Sequence, residues 1–263
     1  MADVLHTLGV VAAVAYALFL LVVAPVMGKR RFRRLCEKIA SDPAARGRFY
    51  RKTVVRSWSI TIGALTVIGL LTGRTPASIG LRGPTHGRSI VGPTLIGAIV
   101  GLGLGAILVT LVARTPSGRD TLRKAMGPAA VVLPTTSSER RYFLLVSLTA
   151  GVTEELAFRG FLLSFFRWIA PDSSRLSLVL VSGLVFGLAH LYQGPRGMLT
   201  TAIVGGLLAD AALASGSLVL VIIIHTALDA RWSLLPGFDD PQPRVLTRES
   251  DLTGTQSASE AAG

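Results

Sequence analysis

The sequence contains little cysteine and few charged residues. Cys36 is the only cysteine among 263 residues, so no disulfide can form within the chain and no cysteine cluster can bind a metal ion. Charged residues make up 16% of the sequence, whereas an ordinary soluble domain contains about 25%. Hydrophobic residues make up 50% of the sequence. This composition excludes an ordinary soluble domain and indicates a membrane protein.

Apolar runs recur along the chain as far as residue 232. A helix needs about 20 apolar residues to cross a hydrocarbon core of about 30 Å. The runs predict about seven spans, with six to eight as the range, because the last three runs are short and closely joined. The predicted spans are residues 4–27, 54–72, 90–113, 142–169, 176–191, 198–214 and 217–232. The expected fold class is all-α, a polytopic transmembrane helix bundle.

The formal net charge of +12 does not indicate nucleic acid as a partner, because Lys and Arg lie in short blocks between apolar runs rather than along one soluble face. The first run has no basic residue before it and is followed at once by a basic block. Basic residues favour the cytoplasmic side of a membrane. We therefore expect a multi-pass protein of the cell membrane, embedded in the lipid bilayer, with its N-terminus outside and its C-terminus in the cytoplasm.

Three regions are expected along the chain. Residues 1–138 are predicted to hold N-terminal transmembrane helices and basic cytoplasmic loops, residues 139–235 a membrane core, and residues 236–263 a disordered polar tail. The basic stretch at residues 46–56, with Phe49 and Tyr50 between its cations, is expected to anchor the chain to anionic lipid.

Glycine is frequent within the apolar runs. Small residues let helix backbones approach each other in lipid, so these glycines predict helix-packing faces. The glycines concerned are Gly97, Gly101, Gly103, Gly105, Gly205 and Gly206.

Ionisable residues occur inside the predicted spans of the C-terminal half. Each charge at bilayer depth costs about 2.5–3.5 kcal/mol on insertion scales, and so needs a partner or a hydrated cavity. The fourth span contains Glu154, Glu155 and Arg159. Helical spacing predicts that Arg159 pairs with Glu155, whereas Glu154 points about 100° away and stays available for another role.

Two histidines and a further carboxylate join this group. The fifth span supplies His190, and the last supplies His225 and Asp229, whose four-residue spacing places both on one helix face. Counted along the helices, Glu154 lies about 20 Å from one membrane side and His190 about 22 Å from the other. These depths differ, so a tilt or an interfacial start of the fourth span is required to bring the two side chains level.

These residues resemble three motifs of the CPBP family, which includes the type II CAAX prenyl endopeptidases and the bacteriocin-processing or immunity proteins of the Abi group. The resemblance covers about residues 140–232, and the motifs occur in the order that the family has. The matching residues are Glu154, Glu155, Arg159, Phe186, His190, His225 and Asp229.

The resemblance implies an intramembrane endopeptidase whose catalytic core is residues 139–235 and whose substrate is a membrane-associated peptide or protein. It implies that Glu154 and His190 hold and deprotonate the attacking water, and that His225 and Asp229 steady the tetrahedral intermediate. The best-known members carry Asn at the position of Asp229, and Asp donates a hydrogen bond only when it is protonated.

Glu155, Arg159 and Phe186 are implied as supporting residues. No cofactor is expected, and hydrolysis without a metal ion is the preferred hypothesis. Zinc stays open as the alternative, because two histidines and two carboxylates can also bind it. The zinc-binding pattern His-Glu-x-x-His is absent from the sequence.

Two other functions use the same buried residues. Glu, His and Asp inside a membrane also mark ion pathways, and Asp210, which stands alone in the sixth predicted span, keeps a transporter or proton relay open. A repeated half with interrupted helices would favour a transporter, and the sequence lacks one. The remaining alternative is a non-catalytic scaffold whose polar groups only hold helices together.

Overall fold

A computed structural model describes residues 2–83 and 93–234 of the chain. The regular structure of these residues is helical throughout, with no strand among them, and the predicted all-α fold is confirmed. The predicted tail at residues 236–263 and the start of the third predicted span lie outside the described residues.

Ten α-helices lie within the described ranges. In chain order they are α1 (Ala2–Leu18), α2 (Ala24–Ile39), α3 (Ala45–Thr72), α4 (Pro93–Val112), α5 (Pro116–Met126), α6 (Ser137–Glu154), α7 (Leu163–Ile169), α8 (Arg175–Ala189), α9 (Gly194–Ser215) and α10 (Val219–Leu234). Short 3₁₀-helices are formed by Pro76–Ile79, Gly127–Val132 and Leu191–Gln193.

Two π-helical segments keep long helices continuous. The segment Phe19–Val23 joins α1 to α2 just before Pro25, which has no N–H to donate to the helical hydrogen-bond ladder. A π-helical turn shifts this ladder by one residue, and the helix continues past the proline. The second segment, Glu155–Leu162, joins α6 to α7 and contains Arg159.

The N-terminal helices pack onto the second π-helical segment. α1 lies along α3, and their apolar faces share one buried cluster with this segment. Within the cluster, the ring centroids of Tyr16 and Phe161 are 4.9 Å apart. This packing helps to fix the position of the π-helical segment.

Glycines bring the C-terminal helices into backbone contact. A Cβ atom placed on Gly183 of α8 would lie 2.7 Å from the carbonyl oxygen of Ala202 in α9, and one on Gly187 would lie 2.7 Å from that of Met198. Both separations are too short for any residue except glycine. Gly151 of α6 is in similarly close contact with Thr226 of α10. The close crossings gather α6, α8, α9 and α10 around a common centre.

The outer surface of the bundle is apolar. Three helical stretches within the described residues are long and apolar enough to cross a membrane, namely Asp3–Ile39, Ala45–Thr72 and Leu191–Ser215. Large side chains such as Leu70, Leu104 and Leu180 are more than half exposed on the isolated chain, as expected of a lipid-facing surface. The chain is a membrane protein, and the count of seven spans stays a prediction.

The predicted lipid anchor at residues 46–56 is wrong for two of its residues. Arg46 is buried and donates to the Glu139 carboxylate, at 3.0 Å from Oε2. Tyr50 is fully buried and donates to the carbonyl oxygen of Val132 at 2.6 Å. These two side chains tie α3 to α6 and to the 3₁₀-helix before it, because buried polar groups need partners. Their partners lie more than 80 residues away, beyond the reach of local sequence patterns.

The predicted glycine packing faces divide into two groups. A Cβ on Gly205 would lie 2.8 Å from the Phe186 ring, so close packing is confirmed there. Gly206 is in ordinary van der Waals proximity to Val179, at 3.6 Å. The glycines of α4 border open space among the described residues, so the prediction is wrong for them. They are Gly97, Gly101, Gly103 and Gly105.

We expect substitution by alanine to change the stability of the fold differently at the two kinds of glycine. Gly183→Ala should lower the free energy of unfolding by about 1–3 kcal/mol, because the new methyl group forces α8 away from α9. Gly101→Ala should leave it unchanged or raise it by up to about 1 kcal/mol, because alanine is the better helix former. Thermal unfolding of the purified protein in detergent measures both. Equal effects of the two variants would contradict the close α8–α9 crossing.

Candidate active site

The predicted site residues come from α6 and the π-helical segment that continues it, from the end of α8, and from α10. Glu154 ends α6 and Glu155 begins the π-helical segment, which places the two carboxylates on adjacent residues. His190 follows directly after α8. His225 and Asp229 lie one turn apart on α10, so the structure brings the three separate sequence motifs to one place.

A buried carboxylate links the first and third motifs. Oε1 of Glu155 accepts a hydrogen bond from the Arg159 guanidinium at 2.9 Å and lies 2.7 Å from Nδ1 of His225. The side chains of Glu155 and Arg159 are fully buried. The predicted Glu155–Arg159 pair is confirmed, and the carboxylate contacts the imidazole as well.

Arg159 also reaches α8 and α9. Its second terminal nitrogen donates to the carbonyl oxygen of Gly205 at 3.0 Å, and its guanidinium carbon lies 4.1 Å from the centre of the Phe186 ring. A carbonyl dipole and an aromatic face both stabilise a buried cation. Because Gly205 has no side chain, its backbone can approach both Arg159 and Phe186.

Phe186 and His190 hold each other one helical turn apart. Nδ1 of His190 donates to the carbonyl oxygen of Phe186 at 2.7 Å, which leaves Nε2 as the acceptor in the neutral ring. The Phe186 ring packs 4.6 Å from the His190 ring and 5.9 Å from the His225 ring. Phe186 therefore contacts the buried cation and both imidazoles, which restricts how the two rings can turn.

Glu154 faces both imidazoles. Its Oε2 atom lies 3.9 Å from Nε2 of His190 and 4.0 Å from Nε2 of His225. This oxygen is buried and has no hydrogen-bond partner among the described residues, although the Glu154 side chain as a whole is 32% exposed. A buried carboxylate oxygen without a partner costs free energy and calls for an explanation, and the partial exposure of Glu154 allows a ligand or reactant to supply the missing hydrogen bond.

Asp229 completes the group at its more exposed edge. Its carboxylate lies 3.6 Å from Nε2 of His225, and its side chain is 42% exposed. The imidazole of His225 is thus close to three carboxylates, those of Glu154, Glu155 and Asp229. All four residues predicted as catalytic lie within one cluster.

Tyr192 borders the cluster with Gln193 beside it, and the sequence motifs indicated neither residue. The Tyr192 ring lies 5.9 Å from the His190 ring. Its hydroxyl accepts a hydrogen bond from the Gln193 amide at 3.3 Å, and that amide accepts one from Thr201 at 2.9 Å. Their position directly after His190 was the available signal, but only the fold shows that this 3₁₀-turn folds back toward the site.

Asp210 lies apart from the cluster. Its Oδ1 atom accepts a hydrogen bond from Nε of Arg175 at 2.7 Å. Arg175 begins α8 and His190 follows its end, so about 22 Å of helix separates them. Asp210 therefore pairs with a residue of the neighbouring helix and does not join the cluster around Glu154.

The described residues contain no group of three or more His, Cys, Asp or Glu side chains arranged to bind a metal ion.

Comparison with known families agrees with the arrangement of the site. Residues 137–231 match the family described as type II CAAX prenyl endopeptidase Rce1-like. The matched range contains all seven predicted site residues, and the predicted resemblance to the CPBP family is confirmed over this segment. No curated protein and no solved structure matches the chain.

Removing the buried cation should destabilise the fold. Arg159→Leu leaves the Glu155 carboxylate buried without its guanidinium, and breaking a buried ion pair in this way costs about 3–5 kcal/mol. Arg175→Gln is the matched control, because its pair with Asp210 is half exposed on the arginine side and such pairs contribute about 0–1 kcal/mol. Thermal unfolding in detergent compares the two. A loss for Arg159→Leu no larger than that for Arg175→Gln would contradict the structural role of the pair.

Proposed function

We propose that the chain is an intramembrane endopeptidase that hydrolyses a peptide bond with a water molecule activated by Glu154 and His190. The observation that carries the proposal is the approach of Glu154 Oε2 to Nε2 of both His190 and His225, at 3.9 and 4.0 Å. Family membership of the segment around these residues supports the same reaction class.

The geometry of Glu154 and His190 suits a shared water. Two atoms that each form a hydrogen bond of about 2.8 Å to one water lie about 4–5 Å apart, which agrees with the separation of Oε2 and Nε2. Both atoms are acceptors when Glu154 is ionised and His190 is neutral. A water between them would donate both hydrogens and direct an oxygen lone pair toward the substrate carbonyl. Glu154 would then take the proton as the general base.

His225 is suited to stabilise the tetrahedral intermediate. Glu155 accepts from its Nδ1, as orienting carboxylates do in hydrolases, so Nε2 points toward the space between Glu154 and Asp229. A His225 ring that carries hydrogens on both nitrogens would donate from Nδ1 to Glu155 and from Nε2 to the oxyanion. Asp229 would act as a second donor only in its protonated form. We therefore assign the larger share of oxyanion stabilisation to His225.

The substrate in this proposal is a membrane-associated peptide or protein. The CAAX-processing and bacteriocin-processing activities implied by the resemblance both act on peptide chains at a membrane. We further propose that residues 139–235 form the catalytic core and that the chain lies in the cell membrane with its N-terminus outside. The basic residues after the first apolar run support this orientation.

Glu154→Gln should abolish cleavage without unfolding the protein. Glutamine has nearly the same shape but cannot accept the proton of the attacking water, and losing a general base costs about 10²–10⁴-fold in rate. The measurement is quantitative proteomics of membrane-derived peptides in cells that carry the wild type or the variant. Glu37→Gln is the matched control, because Glu37 is an exposed carboxylate on α2 that pairs with Arg33.

Peptides present with wild type and Glu37→Gln but missing with Glu154→Gln would support the endopeptidase. Identical peptide sets in all three strains, with Glu154→Gln folded, would favour a scaffold instead. A proton relay would be indicated if Glu154→Gln abolished proton flux into vesicles that contain the purified protein while peptide sets stayed the same.

Chelation tests the hypothesis of metal-free hydrolysis. Cleavage by the purified protein should persist at its full rate after exhaustive dialysis against a strong chelator, because Glu154 and His190 activate water without a Lewis acid. Activity that disappears on chelation and returns only with added zinc would contradict this mechanism and assign the same residues as zinc ligands.

A further inference from the structure

A cavity lies between α1, α3 and α7, away from the cluster around Glu154. Its volume is about 620 Å³, within the range of about 300–1,000 Å³ that holds small ligands. Leu156, a buried residue of the π-helical segment, contributes to its wall. The proposed endopeptidase reaction makes no use of this space.

The cavity runs along the bundle from the ends of two helices toward its middle. His6 near the start of α1 and Arg74 just after the end of α3 lie at one end of the lining, and Ala13 and Ile62 lie further in. α1 and α3 meet at the outer end, where Gly9 is in close contact with Leu71. Ten residues of helix separate Ile62 from the end of α3, about 15 Å. That length is half of a hydrocarbon core of about 30 Å, which is the depth of one lipid leaflet.

The two ends of the cavity differ in chemistry. Apolar side chains such as Val10, Leu65 and Phe165 form most of the wall, and none of the lining residues is acidic. Arg74 is exposed at the outer end and has no hydrogen-bond or ion-pair partner assigned among the described residues. An apolar cavity with a cation at one end is complementary to an amphiphile with one apolar chain and an anionic head.

We propose that this cavity binds one chain of an anionic phospholipid and that Arg74 binds the lipid phosphate. Lipid tails are as apolar as the cavity wall, so moving a chain from the bilayer into the protein gains little from the hydrophobic effect. Selectivity would therefore come from the charge-assisted hydrogen bonds between the guanidinium and the phosphate. His6 would add a second donor at the same end.

Native mass spectrometry of the purified chain tests this proposal without an activity assay. The protein is incubated with equal amounts of phosphatidylglycerol and phosphatidylcholine, and the retained lipids are counted. We expect wild type to retain phosphatidylglycerol in preference to phosphatidylcholine. The ratio of the two retained lipids should be about tenfold lower for Arg74→Gln. Arg167→Gln is the matched control, because Arg167 is an exposed cation on α7 that does not line the cavity.

A second variant tests the chain-binding part of the cavity. Thr66→Phe places a ring inside the cavity and should reduce retention of both lipids. If this variant does not fold, the comparison of Arg74→Gln with wild type still tests the proposal, because the Arg74 side chain is exposed.

Equal retention of the two lipids by wild type would overturn the proposal. The same holds if Arg74→Gln prefers phosphatidylglycerol as strongly as wild type does. Displacement of phosphatidylglycerol by inorganic phosphate at equal concentration would also overturn it, because the ligand would then be free phosphate.

Discussion

The contact of one buried carboxylate with two basic side chains holds the candidate site together. Oε1 of Glu155 accepts from Arg159 within its own helix and contacts Nδ1 of His225 on α10. Arg159 in turn donates to a carbonyl oxygen of α9 and lies on the Phe186 ring of α8. Every helix that borders the site is therefore connected to one ion pair. In an apolar surrounding such groups have few other partners, so their pairing restricts how these helices can be arranged.

Close backbone packing makes this pairing geometrically feasible. Glycines at the α8–α9 and α6–α10 crossings let backbones approach in a way that side chains would prevent. The π-helical segment adds a further adjustment, because it begins at Glu155, directly after Glu154. π-helical segments are frequent at functional sites, and here one carries both members of the buried pair. Small residues and an altered helical register thus bring these polar atoms together. Large side chains and regular helices would keep them apart.

Residue spacing predicted more of the site than of the surrounding packing. The Glu155–Arg159 pair follows from a four-residue interval, and the three motifs indicated which side chains would converge. From Ser137 to Ile169 the chain is continuously helical, about 50 Å and so longer than the hydrocarbon core. The unequal depths of Glu154 and His190 stay a prediction, because a helix of this length can tilt or extend beyond the core. Contacts such as Arg46 with Glu139 depend on distant partners, and no local pattern contains them.

The two adjacent carboxylates differ because their surroundings differ. Oε1 of Glu155 lies between a guanidinium and an imidazole inside the bundle, so its charge is already compensated and its position is constrained. Glu154 is one residue earlier, on another side of the helix, where its Oε2 faces two imidazole nitrogens at distances too long for direct hydrogen bonds. Oε1 of Glu155 is occupied by contacts inside the bundle, whereas Oε2 of Glu154 has no hydrogen-bond partner among the described residues and belongs to a partly exposed side chain, so it can accept a hydrogen bond from a ligand. The same residue type can therefore hold the bundle together at one position and bind the reacting water at the next.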